Sequence, residues 1–357
     1  MSRRAFIRWM LGLFAMIGVM LTGLFKLLQQ SIESQRQAKE VAAAVDPHQP
    51  AAGTNIVQAS AEPDRPLNSF MLLSDLHITP YDPNTQSNLR KALDDLVRFE
   101  PPVDALVFTG DLTEYGTERD YKELRSILSA YQLPPVYANM GNHDYYDIWI
   151  DRKGAFNKDT MPNGKTDWQS RERFTQFFGL EKPFHDVWIG DSHIILLSQE
   201  AYVQEKPEVG EGAWYSDEQL SWFAAKLKQH EGSGKPVFVM THQPLPPAGT
   251  DGKTHQLIRA KEFRELLKPY PNVFVFCGHR HQDFVGTFDH YVKETFHYFH
   301  NSSVGRVMNR QFRSVDKNRS QGLFVQVYRD KVTVRGRDFA IGAWLPEADW
   351  TIPLKNV

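Results

Sequence analysis

Residues 136–144 read Val-Tyr-Ala-Asn-Met-Gly-Asn-His-Asp, a largely apolar run that stops at a cluster of polar side chains. The run is short and contains β-branched and aromatic residues, which is typical of a strand buried on both faces. The last four residues, Gly141-Asn142-His143-Asp144, supply a turn and three side chains that can bind a metal or exchange a proton. This stretch predicts a functional site at the carboxyl end of a buried strand.

The same arrangement recurs at four other places along the chain. The four are 70–74 before Asp75-Leu76-His77, 105–109 before Gly110-Asp111, 237–240 before Thr241-His242, and 273–276 before Cys277-Gly278-His279-Arg280-His281. Residues 190–193, Gly-Asp-Ser-His, contain similar letters but precede the apolar run 194–197. Because a site is expected at the end of a strand and not at its start, we interpret this copy as unrelated to the site.

Amphipathic segments separate most of these runs. Apolar side chains three or four positions apart predict helices over 85–99, 117–131, 216–229 and 254–268. Strands that alternate with helices predict an α/β fold with a mostly parallel sheet, whose strand ends lie at one edge. Later in the chain, 322–328 and 331–335 flank a turn at Asp330 and predict a hairpin.

Together the five motifs resemble those of the calcineurin-like metallophosphoesterase family over residues 69–300, and they occur in the family's order. The resemblance implies a four-layer α/β-β/α sandwich in which two mixed sheets are flanked by helices. We expect the hairpin 322–335 to complete the second sheet. The resemblance also implies an enzyme, a metal-dependent hydrolase that acts on phosphate esters.

In this family seven side chains hold two metal ions. By position, the resemblance assigns Asp75, His77, Asp111 and His281 to one ion, and Asp111, Asn142, His242 and His279 to the other. Two dications about 3.5–4 Å apart repel each other, and a shared carboxylate such as Asp111 offsets that repulsion. Oxygen and nitrogen ligands without a thiolate favour divalent or trivalent Mn, Fe, Zn, Co or Ni over copper(I). Since Asn142 is neutral, the loaded site stays cationic and attracts a phosphate ester.

The resemblance also implies a mechanism. The two ions would lower the pKa of a bridging water toward about 7, and the resulting hydroxide would attack phosphorus in line with the leaving oxygen. His143 follows a ligand but is outside the ligand set, so we expect it to act as leaving-group acid or charge stabiliser. Asp144 is either the residue that orients His143 or a cap of the loop.

Two positions distinguish branches of the family. Purple acid phosphatases carry a tyrosine ligand three residues after the bridging aspartate, where this chain has Glu114, and Tyr115 is one residue too far. Protein Ser/Thr phosphatases continue the second motif as Asp-x-x-Asp-Arg-Gly, unlike residues 111–116 here. Residues 110–113 are more similar to the bacterial cyclic-nucleotide and glycerophosphodiester phosphodiesterases. We therefore favour a phosphodiesterase, with a phosphomonoesterase of the same fold and a non-catalytic binding scaffold as the alternatives.

Substrate selection is expected to lie in the insert 145–192, over the active site, and in the loop 243–255. The insert is rich in aromatic residues, namely Tyr145, Tyr146, Trp149, Trp168 and Phe177. We expect most of these side chains to pack beneath the insert rather than to stack on a nucleobase of the substrate. The insert also has four basic residues, Arg152, Lys153, Lys158 and Lys165. Each of them either contacts an anionic substrate or is solvated, and we expect at least three of the four to be solvated. His300 ends another apolar run and is a candidate for the rim of the site.

Composition limits the partners of the protein. Lys and Arg total 41 and Asp and Glu total 43, for a net charge of −2, so the basic excess typical of a nucleic-acid-binding surface is missing. Cys277 is the single cysteine, which excludes an intramolecular disulfide and a cysteine-rich zinc site. The expected partner is a small phosphate-ester substrate, and the sequence indicates no oligomeric state.

The first 66 residues predict where the protein is located relative to the cell membrane. Ser2-Arg3-Arg4-Ala5-Phe6-Ile7-Arg8, followed by the apolar stretch 9–25, resembles a bacterial twin-arginine signal. We interpret 1–30 as this signal peptide or, if it is not cleaved, as a membrane anchor, and 31–66 as a flexible linker. The metallophosphoesterase domain is predicted over 67–357, and the protein is expected outside the bacterial cytoplasm.

Overall fold

The structure is a computed structural model that describes residues 65–355. The predicted signal or anchor, 1–30, lies outside the described residues, as does the predicted linker, 31–66, except for its last two positions. In the part of the chain that is described, no helix combines the length and the apolar character needed to cross a membrane.

Strands and helices alternate through most of the described chain. The strands are β1 (Asn68–Leu73), β2 (Ala105–Thr109), β3 (Val136–Asn139), β4 (His185–Ile189), β5 (Ser192–Leu196), β6 (Val237–Met240), β7 (Val273–Cys277), β8 (Tyr291–Lys293), β9 (His297–His300), β10 (Gln321–Val327), β11 (Lys331–Asp338) and β12 (Ala343–Pro353). The α-helices are α1 (Pro83–Val97), α2 (Glu118–Leu128), α3 (Asp167–Phe178), α4 (Asp217–Lys228) and α5 (Ala260–Leu267). Short 3₁₀ helices cover His143–Trp149, Lys158–Thr160 and Pro207–Val209.

The strands form two six-stranded mixed sheets. The first has the order β12-β11-β10-β1-β2-β3, with β1, β2 and β3 parallel to one another. The second has the order β4-β5-β6-β7-β9-β8, with β5, β6, β7 and β9 parallel. The predicted hairpin forms as β10 and β11, but our expectation that it completes the second sheet is wrong. β10 pairs antiparallel with β1, with Phe70 opposite Val325, and so extends the first sheet.

Alternate side chains of β1 explain why the molecule has four layers. Phe70 and Leu72 point into the core between the two sheets, whereas Met71 and Leu73 point into the core under α1 and α2. Successive side chains of a strand face opposite sides, so a continuous apolar run serves two cores at once. The outer face of the second sheet packs against α4 and α5. The predicted α/β-β/α sandwich is therefore confirmed.

Capping residues determine where the helices begin. Asp82, Thr117 and Ser216 accept backbone N–H groups at the starts of α1, α2 and α4, three helices that the sequence predicts to within a few residues. The helix predicted over 254–268 begins later, at Ala260, because Leu257 is held in a β-bridge with Ala213. Helix α3, inside the insert, was not predicted.

The Gly-Asp-Ser-His copy at 190–193 lies away from the strand ends that carry the other motifs. Gly190 has a φ of 55° in the turn between β4 and β5. Asp191 is exposed, 3.6 Å from the Lys235 ammonium. Because it precedes β5, Asp191 lies at the amino ends of the parallel strands, opposite the edge where Asp75 and Asp111 are found.

Candidate metal centre and active site

The structure brings all seven predicted metal ligands to one edge of the sandwich. In the first sheet, Asp75 and His77 follow β1, Asp111 follows β2, and Asn142 comes three residues after β3. In the second sheet, His242 follows β6, and both His279 and His281 follow β7. Side chains from both sheets meet because the carboxyl ends of these strands lie side by side.

Five of the seven have a backbone conformation that is rare outside glycine. Left-handed φ angles between 50° and 69° occur at Asp75, His77, Asp111, His279 and His281. This conformation costs a non-glycine residue about 1–2 kcal/mol. Such strain persists only where the surrounding structure imposes it, and it concentrates at functional sites. The strained turns direct these side chains toward one another.

Four side chains form the first cluster, and all of them are buried. The ligand atoms of Asp75, His77, Asp111 and His281 lie within 4.8 Å of one another. His281 Nε2 is 3.0 Å from Asp75 Oδ1 and 3.1 Å from His77 Nε2. His77 Nε2 is 3.7 Å from Asp111 Oδ2. This is the first ligand set that the resemblance implies.

The second cluster contains Asp111 again, with His242 and His279, and its ligand atoms also lie within 4.8 Å of one another. His242 Nε2 is 3.1 Å from Asp111 Oδ2. Asn142 is buried, and a Cβ on the residue before it would lie 2.7 Å from the His242 ring. The residue before it, Gly141, packs so closely on Asp111 that a Cβ would lie 2.3 Å from Oδ1. Asp111 thus stands between the two clusters, as a shared ligand must.

Hydrogen bonds determine which ring nitrogens are available to a metal. His242 Nδ1 donates to the Thr109 carbonyl at 2.8 Å, and His281 Nδ1 donates to the Arg306 carbonyl at 2.9 Å. In the neutral rings this leaves the lone pair on Nε2, facing the cluster. His279 Nδ1 is buried without a hydrogen-bond partner among residues 65–355, and the buried His242 Nε2 faces Asp111 Oδ2 at 3.1 Å outside hydrogen-bond geometry. Buried polar atoms normally have a partner, so these nitrogens fit ligation of a metal.

The clusters are electrostatically coupled. Burial alone would raise the pKa of Asp75, but the adjacent His281 lowers it to about 2. Burial would lower the pKa of His242, yet the Asp111 carboxylate outweighs it and raises the pKa to about 9. Burial, together with His143, lowers the pKa of His77 to about 4. At neutral pH the carboxylates are therefore ionised and attract positive charge, either a proton on His242 or a metal ion.

His143 lies beside both clusters. Its backbone N–H donates to Asp111 Oδ1 at 2.9 Å, and its ring Nδ1 donates to the Glu114 carbonyl at 3.0 Å. The ring stacks on Tyr146 with centroids 4.1 Å apart and meets the edge of His77 at 4.4 Å. These contacts hold the ring in place, and within residues 65–355 no hydrogen bond to Nε2 is found.

Asp144 does not orient His143, so the loop-cap alternative is correct. The buried Asp144 carboxylate accepts the Gly141 N–H at 3.0 Å and the N–H and hydroxyl of Thr113 at 3.1 and 2.8 Å. Burial and the nearby Asp111 raise the pKa of Asp144 to about 6. The carboxylate therefore ties the loop after β3 to the loop after β2.

Several side chains at the site were given no role there by the predictions from sequence. Glu114, used above only to exclude a tyrosine ligand, lies with Oε2 3.1 Å from His77 Nδ1 and 3.0 Å from Arg306. His255 places Nδ1 3.1 Å from His279 Nε2. Glu211 accepts a hydrogen bond from Asn142. The spacing of three residues after Asp111 could have indicated Glu114 as a residue of the site. No pattern in the sequence marks Arg306 or Glu211.

The aromatic residues of the insert mostly pack, as expected. Tyr145 is buried and donates to the Gln199 carbonyl, Trp149 contacts Tyr202, and Phe177 packs on Tyr121. Trp168 is exposed. Tyr146 is the exception, because its ring lies against His143 in the site.

The basic residues of the insert divide in two. Arg152, Lys153 and Lys158 are exposed, although Lys158 also lies 3.9 Å from Glu211, whereas Lys165 is half-buried and pairs with Asp147. His300, the candidate for the rim, turns its Nδ1 to the Cys277 thiol at 3.3 Å. Its ring nitrogen is therefore engaged in a buried contact and not at the cluster.

Comparison with known proteins identifies the family. The profile described as calcineurin-like phosphoesterase matches residues 69–283, more than half of the chain. The chain belongs to the calcineurin-like phosphoesterase family. Curated relatives in the family include a Rhodococcus erythropolis protein named "Probable cyclic nucleotide phosphodiesterase", 27% identical over 64% of this chain and 70% of its own. An Arcobacter nitrofigilis protein named "Probable glycerophosphodiester phosphodiesterase" is 25% identical over 51% of this chain and 58% of its own.

Solved structures agree with the fold. A dimetal phosphatase from Danio rerio superposes with a TM-score of 0.57 at 15% identity, covering 81% of this chain and 100% of that one. A purple acid phosphatase from yellow lupin seeds gives a TM-score of 0.54 at 12% identity, covering 80% and 53%. At such identities the likeness shows the shared fold and nothing about substrate.

The calcineurin-like phosphoesterase chain is a metal-dependent phosphoester hydrolase, as predicted. Its buried Asp/His cluster fits a dinuclear site for divalent metal ions. Donor chemistry agrees with this, because the cluster offers carboxylate oxygens and imidazole nitrogens and no thiolate.

Proposed function

We propose that this protein hydrolyses phosphodiesters at the two clusters that share Asp111. Mn, Fe, Zn or Co ions would be held in two sets, Asp75, His77, Asp111 and His281, and Asp111, Asn142, His242 and His279. Such ions, when bound, lower the pKa of water and neutralise charge on a phosphate ester. The observation that carries the proposal is the position of the Asp111 carboxylate in both clusters.

His143 is proposed as the group that protonates or stabilises the leaving oxygen. Its Nδ1 already donates to the Glu114 carbonyl, so the ring can donate from Nε2 only when it is doubly protonated. The carboxylates of Asp111 and Glu114 lie close enough to interact with that positive charge. The imidazolium keeps its bond to Glu114 and presents the second N–H to the substrate.

A groove that is reached from His143 across the rings of Tyr146 and Phe156 supports a diester rather than a monoester. The groove has a volume of about 610 Å³ and is lined in part by Tyr115, Arg152 and Phe156. Aromatic rings connect it to the site, since Tyr146 stacks on His143 and lies 5.9 Å from the Phe156 ring. A diester carries a second substituent beyond the scissile phosphate, and this groove is large enough to hold one. The names of the relatives support the same choice.

The activity can be tested with three substrates and two matched variants. The protein loaded with Mn²⁺ is assayed on bis(4-nitrophenyl) phosphate, 4-nitrophenyl phosphate and 3′,5′-cyclic AMP. We expect higher kcat/KM on the diesters, complete loss in Asp111→Ala, and no change in Asp191→Ala, which alters the unrelated Gly-Asp copy. Preference for the monoester contradicts the diester proposal, and inactivity on all three indicates the binding scaffold.

We also propose that the protein acts outside the cytoplasm of a bacterium. The motif at residues 2–8 and the apolar stretch 9–25 support a twin-arginine export route. Replacing Arg3 and Arg4 by Lys is expected to retain the protein in the cytoplasm, as measured by cell fractionation. Unchanged export of this variant points to the general secretory route instead.

A further inference from the structure

The carboxylate of Glu211 is a centre of hydrogen bonds next to the second cluster. Its Oε2 accepts from Asn142 Nδ2 at 2.9 Å and from the Tyr146 hydroxyl at 2.8 Å. Its Oε1 accepts from the Tyr202 hydroxyl at 2.8 Å. Glu211 is only 14% exposed, and the ammonium of Lys158, which is 61% exposed, lies 3.9 Å from its Oε1. The carboxylate thus accepts hydrogen bonds from Asn142, Tyr146 and Tyr202, in addition to one long ion pair with a solvent-exposed lysine.

The backbone around Glu211 is held firmly in place. Gly212 has no room for a side chain, because a Cβ would lie within 3.0 Å of three carbonyl oxygens, two of them those of Lys253 and Gln256. The next residue, Ala213, pairs with Leu257 in a β-bridge. The Glu211 backbone N–H donates to the Thr254 hydroxyl. The side chain therefore approaches Asn142 from a fixed loop, which is what a positioning role requires.

The contact determines how Asn142 is turned. An amide has one donor end and one acceptor end, and Nδ2 is engaged by Glu211 and by the Tyr146 oxygen at 3.2 Å. Rotating the amide by half a turn would set Oδ1 against the Glu211 carboxylate, which is repulsive. Oδ1 is therefore kept on the opposite side, where its one partner in the described chain is Gln243 Nε2 at 3.4 Å.

We propose that Glu211 is a positioning residue for the second metal site, which it serves by holding the carbonyl oxygen of Asn142 toward the metal. This inference rests on the proposed function. Through Tyr146 the same carboxylate also supports the ring that stacks on His143. Asn142 is a neutral ligand, and the negative charge of Glu211 polarises its amide so that more electron density lies on Oδ1. One side chain outside the ligand set thus supports both a ligand and His143.

The test is the binding of Mn²⁺ to metal-free protein. Titration calorimetry measures the number of sites and their affinities, and electron paramagnetic resonance detects the magnetic coupling between two bound Mn²⁺ ions. Native protein is expected to bind two Mn²⁺ per chain. Glu211→Gln is expected to keep the first and to bind the second about 10- to 100-fold more weakly, with loss of the coupled spectrum. Glu208→Gln, which changes an exposed carboxylate in the same segment, is the matched control and is expected to match the native protein. Excess Mn²⁺ is expected to restore most of the kcat of Glu211→Gln.

Two results overturn the inference in distinguishable ways. Native protein that binds fewer than two Mn²⁺ contradicts the proposed function, and the role of Glu211 with it. Two equally tight sites in native protein and in Glu211→Gln contradict the role of Glu211 alone. Should Glu211→Gln not fold, Glu211→Asp gives the same reading, because it keeps the charge but shortens the reach to Asn142 by one methylene.

Discussion

Asp111 links the parts of the site at the scale of single residues. Its Oδ2 lies 3.1 Å from His242 Nε2 and 3.7 Å from His77 Nε2, and its Oδ1 accepts the N–H of His143. Burial would raise the pKa of Asp111, but His242, with help from His143 and His77, holds it well below its usual range. The carboxylate is therefore charged at any pH at which the enzyme is expected to work, and it is available to both clusters.

Removal of the His143 ring should slow the chemistry and leave the metals in place. We expect His143→Ala to lower kcat about 10²- to 10³-fold with unchanged metal content, because the ring belongs to neither of the two ligand sets assigned above, although it also groups with His77 and Glu114. The loss should be smaller for a nitrophenolate leaving group than for an alkoxide if His143 donates a proton. Equal losses would indicate charge stabilisation, and full activity on an alkoxide would exclude His143 from the mechanism.

Among the secondary-structure elements, the turns after the strands define the geometry of the site. The left-handed residues after β1, β2 and β7 direct their side chains inward, and the loop after β3 is pressed against Asp111 through Gly141. Asp144 fastens this loop to Thr113 after β2. Strands from two sheets therefore hold these side chains at fixed positions, which is the preorganisation that a metal site needs.

Gly141→Ala tests the close packing of that loop. The added Cβ would lie 2.3 Å from Asp111 Oδ1 and 2.6 Å from the Asp111 backbone nitrogen, so the loop must move away from the clusters. We expect a loss of about 1–3 kcal/mol of stability in urea unfolding and a reduced metal content. The control is Gly286→Ala, where the nearest atom is 3.5 Å from the new Cβ. Native metal content in Gly141→Ala would show that the loop can relax without disturbing Asp111.

On the scale of the whole molecule, buried histidines outside the site make stability depend on pH. Burial lowers the pKa of His185 and His297 to about 4 and that of His300 to about 3. In the unfolded chain they titrate near 6.5. As the pH falls from about 6.5 to about 4, the unfolded state binds protons that the folded state does not bind, so these groups lower the stability.

His300→Gln should weaken this pH dependence. The glutamine retains a polar group beside the Cys277 thiol but cannot titrate. Between pH 6.5 and 4 the native, metal-free protein is expected to lose up to about 3 kcal/mol more unfolding free energy than the variant does. Urea unfolding at several pH values measures the difference. Parallel curves for the two proteins would mean that His300 is protonated without penalty in the folded state.

The sequence predicted features that depend on local pattern and missed those that depend on distant pairing. Strands that end in Asp or His were recognisable because both the apolar run and its polar end are contiguous. The prediction of which sheet the hairpin belongs to was wrong, because β10 pairs with β1, a strand from the other end of the domain. Glu211 reaches Asn142 across 69 positions from a loop without periodicity. The metal-binding roles of the seven residues and the domain limits 67–357 remain predictions.

The most direct test of the central claim is the number of metal ions per chain, measured by elemental analysis of native protein, Asp111→Ala and Asp191→Ala. If one carboxylate is shared by two sites, native protein and Asp191→Ala hold two transition-metal ions each, and Asp111→Ala holds neither. Two tightly bound ions in Asp111→Ala would contradict the shared site, and with it the dinuclear centre described above.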